Sequence, residues 1–238
     1  MWQRAFEPRR QMEQGLYDYL IGLLTPERLA GFERVLSLRT RFLTLAFEDL
    51  YHQRNISACI RSCDCFGVQD VHVIEGETRF KPNSQIALGA ANWVTVKRYH
   101  GSEDPTRDCI DQLRASGFRI VATSPRVGHQ SVRDLPLSEK TAIFFGTEKH
   151  GLSDQVFENA DECVRIPMSG FTESFNISVS AAIVLYELTE RLRSERDDWQ
   201  LTEDEKQTLR AQWVEYSLGP KLDSLLRRYE RDHGPTSS

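Results

Sequence analysis

The sequence predicts an α/β fold, a mainly parallel sheet with helices on both faces, carrying helical extensions at its amino and carboxyl ends. Three observations predict it. Between residue 43 and about residue 192, short apolar runs alternate with stretches of helical periodicity. Several of those runs lack polar alternation, as strands covered on both faces do. The flanks, 1–42 and 193–238, are charged and helical in pattern. At 238 residues and 39% hydrophobic, the chain is long enough to bury one sizeable core with appendages.

In the first flank, "LTPERLAGFERVLSLRTRF" places Thr25 as N-cap, Pro26 at the first helical position and Glu27 in the first turn. Arg28, Arg34, Arg39 and Arg41 recur along it. A solvated helix face accounts for them, and a nucleic-acid-binding arm is the second reading.

The central strands are "LTLAFEDL", "VQDVHVIEG", "WVTVKRY", "RIVATSP", "TAIFFGTE" and "ECVRIPM". Between them "RNISACIRSCDCFG", "TRDCIDQLRASG" and "SDQVFENA" have helical periodicity. In the first of these helices Asn55 stands where an N-cap belongs, Ile56, Cys59, Ile60 and Cys63 share the buried face, and Gly67 ends it. Arg61 lies about 140° from Ile56 around a 3.6-residue helix, outside the core face, where Asp64 is a ready partner at i+3.

After the last strand, "MSGFTESFNISVSAAIVLYEL" crowds polar residues at the start of a long helix whose stripe is Ile177, Ala181, Val184, Leu185, Leu188 and Leu192. Ser174 can cap it. The other polar residues there exceed what capping needs, and a helix amino end with free amides suits an anionic or strongly polar ligand. Thr202 to Glu205 reads as a capping box and Pro220 opens a last short helix.

Composition narrows the function classes. No apolar run approaches a membrane span and "MWQRAFEPRRQ" has no signal-peptide core, so a soluble, cytoplasmic protein is expected. Five cysteines, an odd number, argue against a disulfide framework, and Cys59, Cys63 and Cys65 lack a zinc spacing, so no metal is expected. A net charge of −5 opposes bulk polyanion binding, yet 24 of the 30 basic residues are arginine, the better phosphate fork. A GC-rich genome produces the same bias. "FFGTEKHGLSDQ" is a two-glycine loop after a buried strand, where open α/β sheets bind ligands, but no phosphate loop or dinucleotide fingerprint is present.

Taken in order, "RNISACIRSCDCFGV", "FFGTEKHGLS" and "IPMSGFTESFNISVSAAI" resemble the three motifs of the SPOUT-class RNA ribose 2′-O-methyltransferases, most closely the TrmH-type tRNA (guanosine-18-2′-O)-methyltransferases. The resemblance spans roughly residues 25–195. It implies a carboxyl-terminal deep trefoil knot in the sheet domain, S-adenosylmethionine as cofactor, tRNA as partner and a homodimer with the active site beside its interface. Pattern alone would exclude a knot.

By the same resemblance Asn55, Arg61, Glu148, Ser174 and Asn176 are the catalytic positions, while Thr123, Gly146, Ile166, Met168 and Phe175 touch the cofactor. The family proposal makes Arg61 the base. Guanidinium groups stay protonated in proteins, so charge stabilisation at the developing alkoxide is the physically easier role. Asp49-Leu50-Tyr51-His52-Gln53-Arg54 departs from the Asn-Val-His-Lys-Pro-His of many relatives, and Thr172-Glu173-Ser174-Phe175 from Val-Gln-Ser-Leu.

The implied organisation is a helical RNA-binding extension at 1–42, a methyltransferase domain at 43–192 and a second RNA-binding extension at 193–238. Action on another tRNA position or on ribosomal RNA, or a non-catalytic RNA-binding module, are the alternative readings.

Overall fold

The computed structural model describes residues 13–50, 52–76, 80, 87, 89–126, 128–147 and 149–234. The chain divides into two compact units, residues 40–200 and residues 1–39 with 201–238.

Among the described residues the larger unit holds seven strands: β1 (Leu43–Glu48), β2 (Asp70–Ile74), β3 (Thr95–Tyr99), β4 (Arg119–Thr123), β5 (Gln130–Ser131), β6 (Thr141–Phe145) and β7 (Glu162–Arg165). They form one sheet in the order β3-β2-β1-β6-β4-β7-β5, with every pairing parallel. β1, β2 and β6 are buried along their whole length. Among the described residues four helices cover the sheet: α3 (Gln53–Phe66), α4 (Pro105–Ala115), α5 (Asp154–Asn159) and α6 (Ile177–Glu195).

Strand periodicity sorts the core into two layers. Leu43, Leu45, Phe47, Ile143 and Phe145 meet Ile56, Cys59, Ile60 and Cys63 of α3 and the Ile177 to Leu192 stripe of α6. Ala46, Ile120, Ala142 and Phe144 meet Cys109, Ile110 and Leu113 of α4 and Val156 of α5 on the other face. Gly67 ends α3 at φ 81°, a left-handed position that suits glycine, and Arg193 Nη2 donates to the Phe66 carbonyl at 2.8 Å.

Two local expectations need correction, and one strand is added. α3 begins at Gln53 with His52 as N-cap, so Asn55 sits inside the first turn rather than capping it. α6 is capped by Asn176, whose Oδ1 accepts from Ser178 N at 2.9 Å, and not by Ser174. β5 is two residues long and has no periodicity for a sequence reading to find.

A buried polar network ties β2 to β3. Burial alone would raise the Asp70 carboxyl, but Arg41 at 3.1 Å and Lys97 at 3.2 Å hold it below its usual range. His72, 2.7 Å from the Tyr99 hydroxyl, is pushed down from 6.5 to about 3, first by burial and then by Lys97. In the fold His72 therefore stays neutral while the unfolded chain takes up a proton below its ordinary pKa. Stability should fall as pH drops from about 6.5 toward about 3, and Asp70 adds a further loss once its carboxyl protonates. Denaturant unfolding at stepped pH checks this, with His72→Gln flattening the slope between pH values of roughly 6.5 and 4.

The smaller unit contains α1 (Gln14–Ile21), α2 (Pro26–Leu36), α7 (Glu203–Leu218) and α8 (Leu222–His233). Thr25 caps α2, accepting from Arg28 N at 3.3 Å, and the Thr202–Glu205 capping box opens α7. Phe32 meets Trp213 edge-on at 5.6 Å, and Tyr19 packs on Tyr229 at 5.3 Å. Arg39 departs from the solvated face that its spacing suggests. Only 1% exposed, it holds its guanidinium 5.6 Å from the Trp213 ring centroid. Arg28 and Arg34 are the exposed members of that arginine series.

Candidate functional site

The carboxyl ends of β4, β6 and β7 open on one cavity of about 420 Å³. That is the edge at which parallel sheets bind ligands, and the volume lies in the small-molecule range of roughly 300–1,000 Å³. Thr123 closes β4, Gly146 follows β6, Ile166 follows β7, and Met168, Ser174 and Phe175 come from the segment leading into α6; all six line the cavity. The five residues expected to touch a cofactor are thus gathered around one space.

Each wall has a local cause. The Thr123 hydroxyl donates to the Phe144 carbonyl at 2.7 Å, tying β4 to the last turn of chain before the β6 loop. Gly146 lies so close to the returning chain that a Cβ there would stand 2.1 Å from Gly151 C and O and 2.2 Å from Leu152 N. The loop is closed by Thr147 and Gly151, whose amides donate to each other's carbonyls at 2.9 Å, with Gly151 at φ 73°. His150 N donates to Thr147 Oγ1 at 2.9 Å. The close approach of Gly146 to the Gly151–Leu152 backbone thus sets one wall of the cavity.

Asn176 joins this cavity segment to α3. Its Oδ1 accepts from Ser178 N and, at 2.6 Å, from Ser178 Oγ, which fixes the amide and leaves Nδ2 pointing 3.5 Å from Asn55 Oδ1. That last distance is at the outer limit of a hydrogen bond. Ser178, to which the sequence assigns no part, is what locks the Asn176 orientation.

Arg61 is not drawn into the cavity. It is exposed on α3, with no ion pair or hydrogen bond to Asp64 or any other of the described residues. Glu148 lies outside the described residues.

Sequence reasoning missed further lining groups. Arg126, Lys149, His150 and Arg165 face the cavity against Asp154 and Glu173, so among the described residues its surroundings are net positive. Lys149 and His150 adjoin Glu148 in the second motif, and Arg126 follows the "RIVATSP" strand, which are the signals that could have found them. Among the described residues no group of three or more His, Cys, Asp or Glu could hold a metal ion, and no helix is long and apolar enough to cross a membrane.

Residues 43–186 match the SpoU rRNA Methylase family. The chain is 43% identical over 190 residues to the tRNA (guanosine(18)-2′-O)-methyltransferase of Borreliella burgdorferi, covering 80% of this chain and 85% of that one. It is 30% identical over 190 residues to the protein of the same name from Escherichia coli K12, covering 78% and 81%. Among solved structures, the Aquifex aeolicus TrmH/SpoU tRNA modifying enzyme superposes with a TM-score of 0.72 at 27% identity, over 81% of this chain and 97% of that one. The SpoU methyltransferase AviRb of Streptomyces viridochromogenes, in complex with AdoMet, superposes with a TM-score of 0.57 at 26% identity over 68% and 64%.

Proposed function

The chain belongs to the SpoU rRNA methylase family, and from that premise we propose that it methylates the ribose 2′-hydroxyl of guanosine 18 in tRNA, using S-adenosylmethionine. The observation that carries the reading is the gathering of Thr123, Gly146, Ile166, Met168 and Phe175 around one cavity, directly before the helix whose cap meets Asn55. Gly146 lends backbone, Ile166, Met168 and Phe175 lend apolar walls, and Thr123 and Ser174 lend hydroxyls, a set that fits an amino-acid-linked nucleoside. The surrounding basic groups suit its carboxylate and an RNA phosphate.

When bound, S-adenosylmethionine supplies an electrophilic methyl on a sulfonium sulfur. The residues of the chain arrange the other reactant. Asn176, locked by Ser178, and Asn55 orient the ribose; Arg61 offers its exposed guanidinium to the RNA and stabilises the negative charge that grows on the 2′-oxygen as its proton leaves to solvent. Ser174 faces the hydroxyl or the cofactor from the cavity wall, and the family resemblance gives Glu148 the part of holding the loop or Arg61.

The working enzyme on this reading is a cytoplasmic homodimer. On α6, Val179 and Tyr186 are seven residues apart on one side and stay exposed, at 46% and 61%. Phe66 of α3 adjoins Tyr186, the two rings 6.3 Å apart. An apolar strip along two packed helices suits a second copy. Tyr186→Asp should lower the mass seen in sedimentation from dimer to monomer. The extensions hold RNA, for which Lys221, just before α8, and Arg227, Arg228 and Arg231 within it are exposed. The inserted place of β7 between β4 and β5 supports a trefoil knot, and a chain pulled from its ends should then stop short of its full contour length.

The test is incubation with labelled S-adenosylmethionine and unmodified tRNA transcripts, followed by mapping of the 2′-O-methyl group. Label at guanosine 18 is the expected result. Label confined to ribosomal RNA overturns the substrate, and no cofactor binding by calorimetry overturns the activity.

A further inference from the structure

We propose that Glu48 is a positioning residue of the methyl-transfer site, setting where the β6 loop stands over the cofactor cavity. The inference rests on the methyltransferase reading of that cavity. Glu48 is the last residue of β1, near the middle of the sheet, and is 7% exposed. It points to the face covered by α4 and α5, where a buried carboxylate needs donors. It has three. Ser153 N donates to Oε2 at 2.8 Å, Ser153 Oγ to Oε1 at 2.8 Å, and Thr106 Oγ1 to Oε1 at 2.9 Å. No cation pairs with it among the described residues, so hydrogen bonds alone hold it. Bonds to a charged acceptor are the strong kind.

Ser153 is the N-cap of α5 and follows directly on the loop that holds Gly146, Thr147, Gly151 and Leu152 against the cavity. The other end of that loop leaves Phe145, which lies in register with Phe47 and stacks on it at 5.6 Å. Two consecutive residues of β1 therefore hold both ends of the loop, Phe47 through the ladder and ring contact, Glu48 through Ser153. One residue further on, Asp49 turns the chain at φ 46° toward α3 and Asn55. Glu48 thus fixes the distance between the segment that cradles the cofactor and the segment that carries Asn55. Thr106 ties the same carboxylate to the start of α4, so the anchor is braced from a third element.

Glu48→Gln keeps the size but removes the charge and puts an N–H₂ group in one oxygen's place, opposite either the Ser153 amide or the Ser153 and Thr106 hydroxyls. The expected result is a loss of about tenfold in S-adenosylmethionine affinity by calorimetry, with tRNA affinity unchanged, since small displacements of a positioned site cost that much. In the ligand-free protein, amides of residues 149–153 should exchange faster with solvent. Glu48→Asp, which keeps the carboxylate but shortens it, should restore part of the affinity.

Ser153→Ala and Thr106→Val remove single donors and each should weaken cofactor binding less. Added to Glu48→Gln, Ser153→Ala should cost almost nothing more, because the shared bonds are already lost. These milder variants keep the inference testable if Glu48→Gln does not fold. A lower melting midpoint in all variants with wild-type cofactor affinity and loop exchange would overturn it, leaving Glu48 a purely structural residue. Failure of the wild-type protein to bind S-adenosylmethionine would instead overturn the methyltransferase reading on which it rests.

Discussion

Arg61→Ala should lower the rate of 2′-O-methylation by about a hundredfold or more while leaving the fold and cofactor affinity as they are. Removing one donor from a developing oxyanion costs that order, and here the group lost is a charged fork. Arg61 is exposed, makes no ion pair among the described residues and stands outside the cavity lining. Surface changes of this kind stay within about 0.5 kcal/mol of wild-type stability, so a rate loss would report on chemistry rather than unfolding. Single-turnover methylation of saturating tRNA, with calorimetry of S-adenosylmethionine binding beside it, makes the separation. Arg61→Lys keeps a charge without the planar fork and should fall between the two. A near-wild-type rate for the alanine variant would remove Arg61 from the mechanism altogether.

Gly146→Ala acts by the opposite route. The new methyl would meet backbone, at 2.1 Å from Gly151 C and 2.2 Å from Leu152 N, and no side chain can swing aside to admit it. The loop has to open, breaking the paired 2.9 Å bonds of Thr147 and Gly151 and moving the cradle. Overpacking of this severity costs about 1–3 kcal/mol or more in stability, and cofactor affinity should fall about a hundredfold with the displaced loop. Gly31→Ala is the control. Nothing lies within 4 Å of the added methyl and the position is inside α2, so a gain of up to about 1 kcal/mol is expected there. Wild-type cofactor affinity in Gly146→Ala would mean that the cavity is not the cofactor site.

Much of this was legible before any coordinates. The six apolar runs became β1, β2, β3, β4, β6 and β7, and for β1, β2 and β6 burial on both faces leaves a compositional mark that survives without context. The stripe of α6 and the glycine end of α3 read correctly for the same reason, being periodic or stereochemically forced. β5 was not legible, since two residues carry no period. Nor was the choice between Ser174 and Asn176 as cap. Both types cap well, and Asn176 prevails because Ile177 is the first residue that packs in the core, which fixes where the helix starts. Arg39 looked like part of a charged face, but Trp213, far along the chain, buries it.

The three motifs, read in order, pointed to the reaction class through their resemblance to a known family, and the same resemblance supplied the expected site residues. A glycine turn or an arginine on a helix face is specified within a few residues. What only the tertiary structure decided is which of them share a space. Thr123, Gly146 and Ile166 meet because β4 lies between β6 and β7 in the sheet and the three end side by side, while Arg61 stays outside because its helix turns it to solvent. Glu48 belongs to the same lesson: as the end of a buried strand it reads as unremarkable, and it gains a part only through Ser153 and Thr106, brought to it by sheet pairing. Contacts between residues far apart in sequence depend on register and layer packing, which no short stretch of chain encodes by itself.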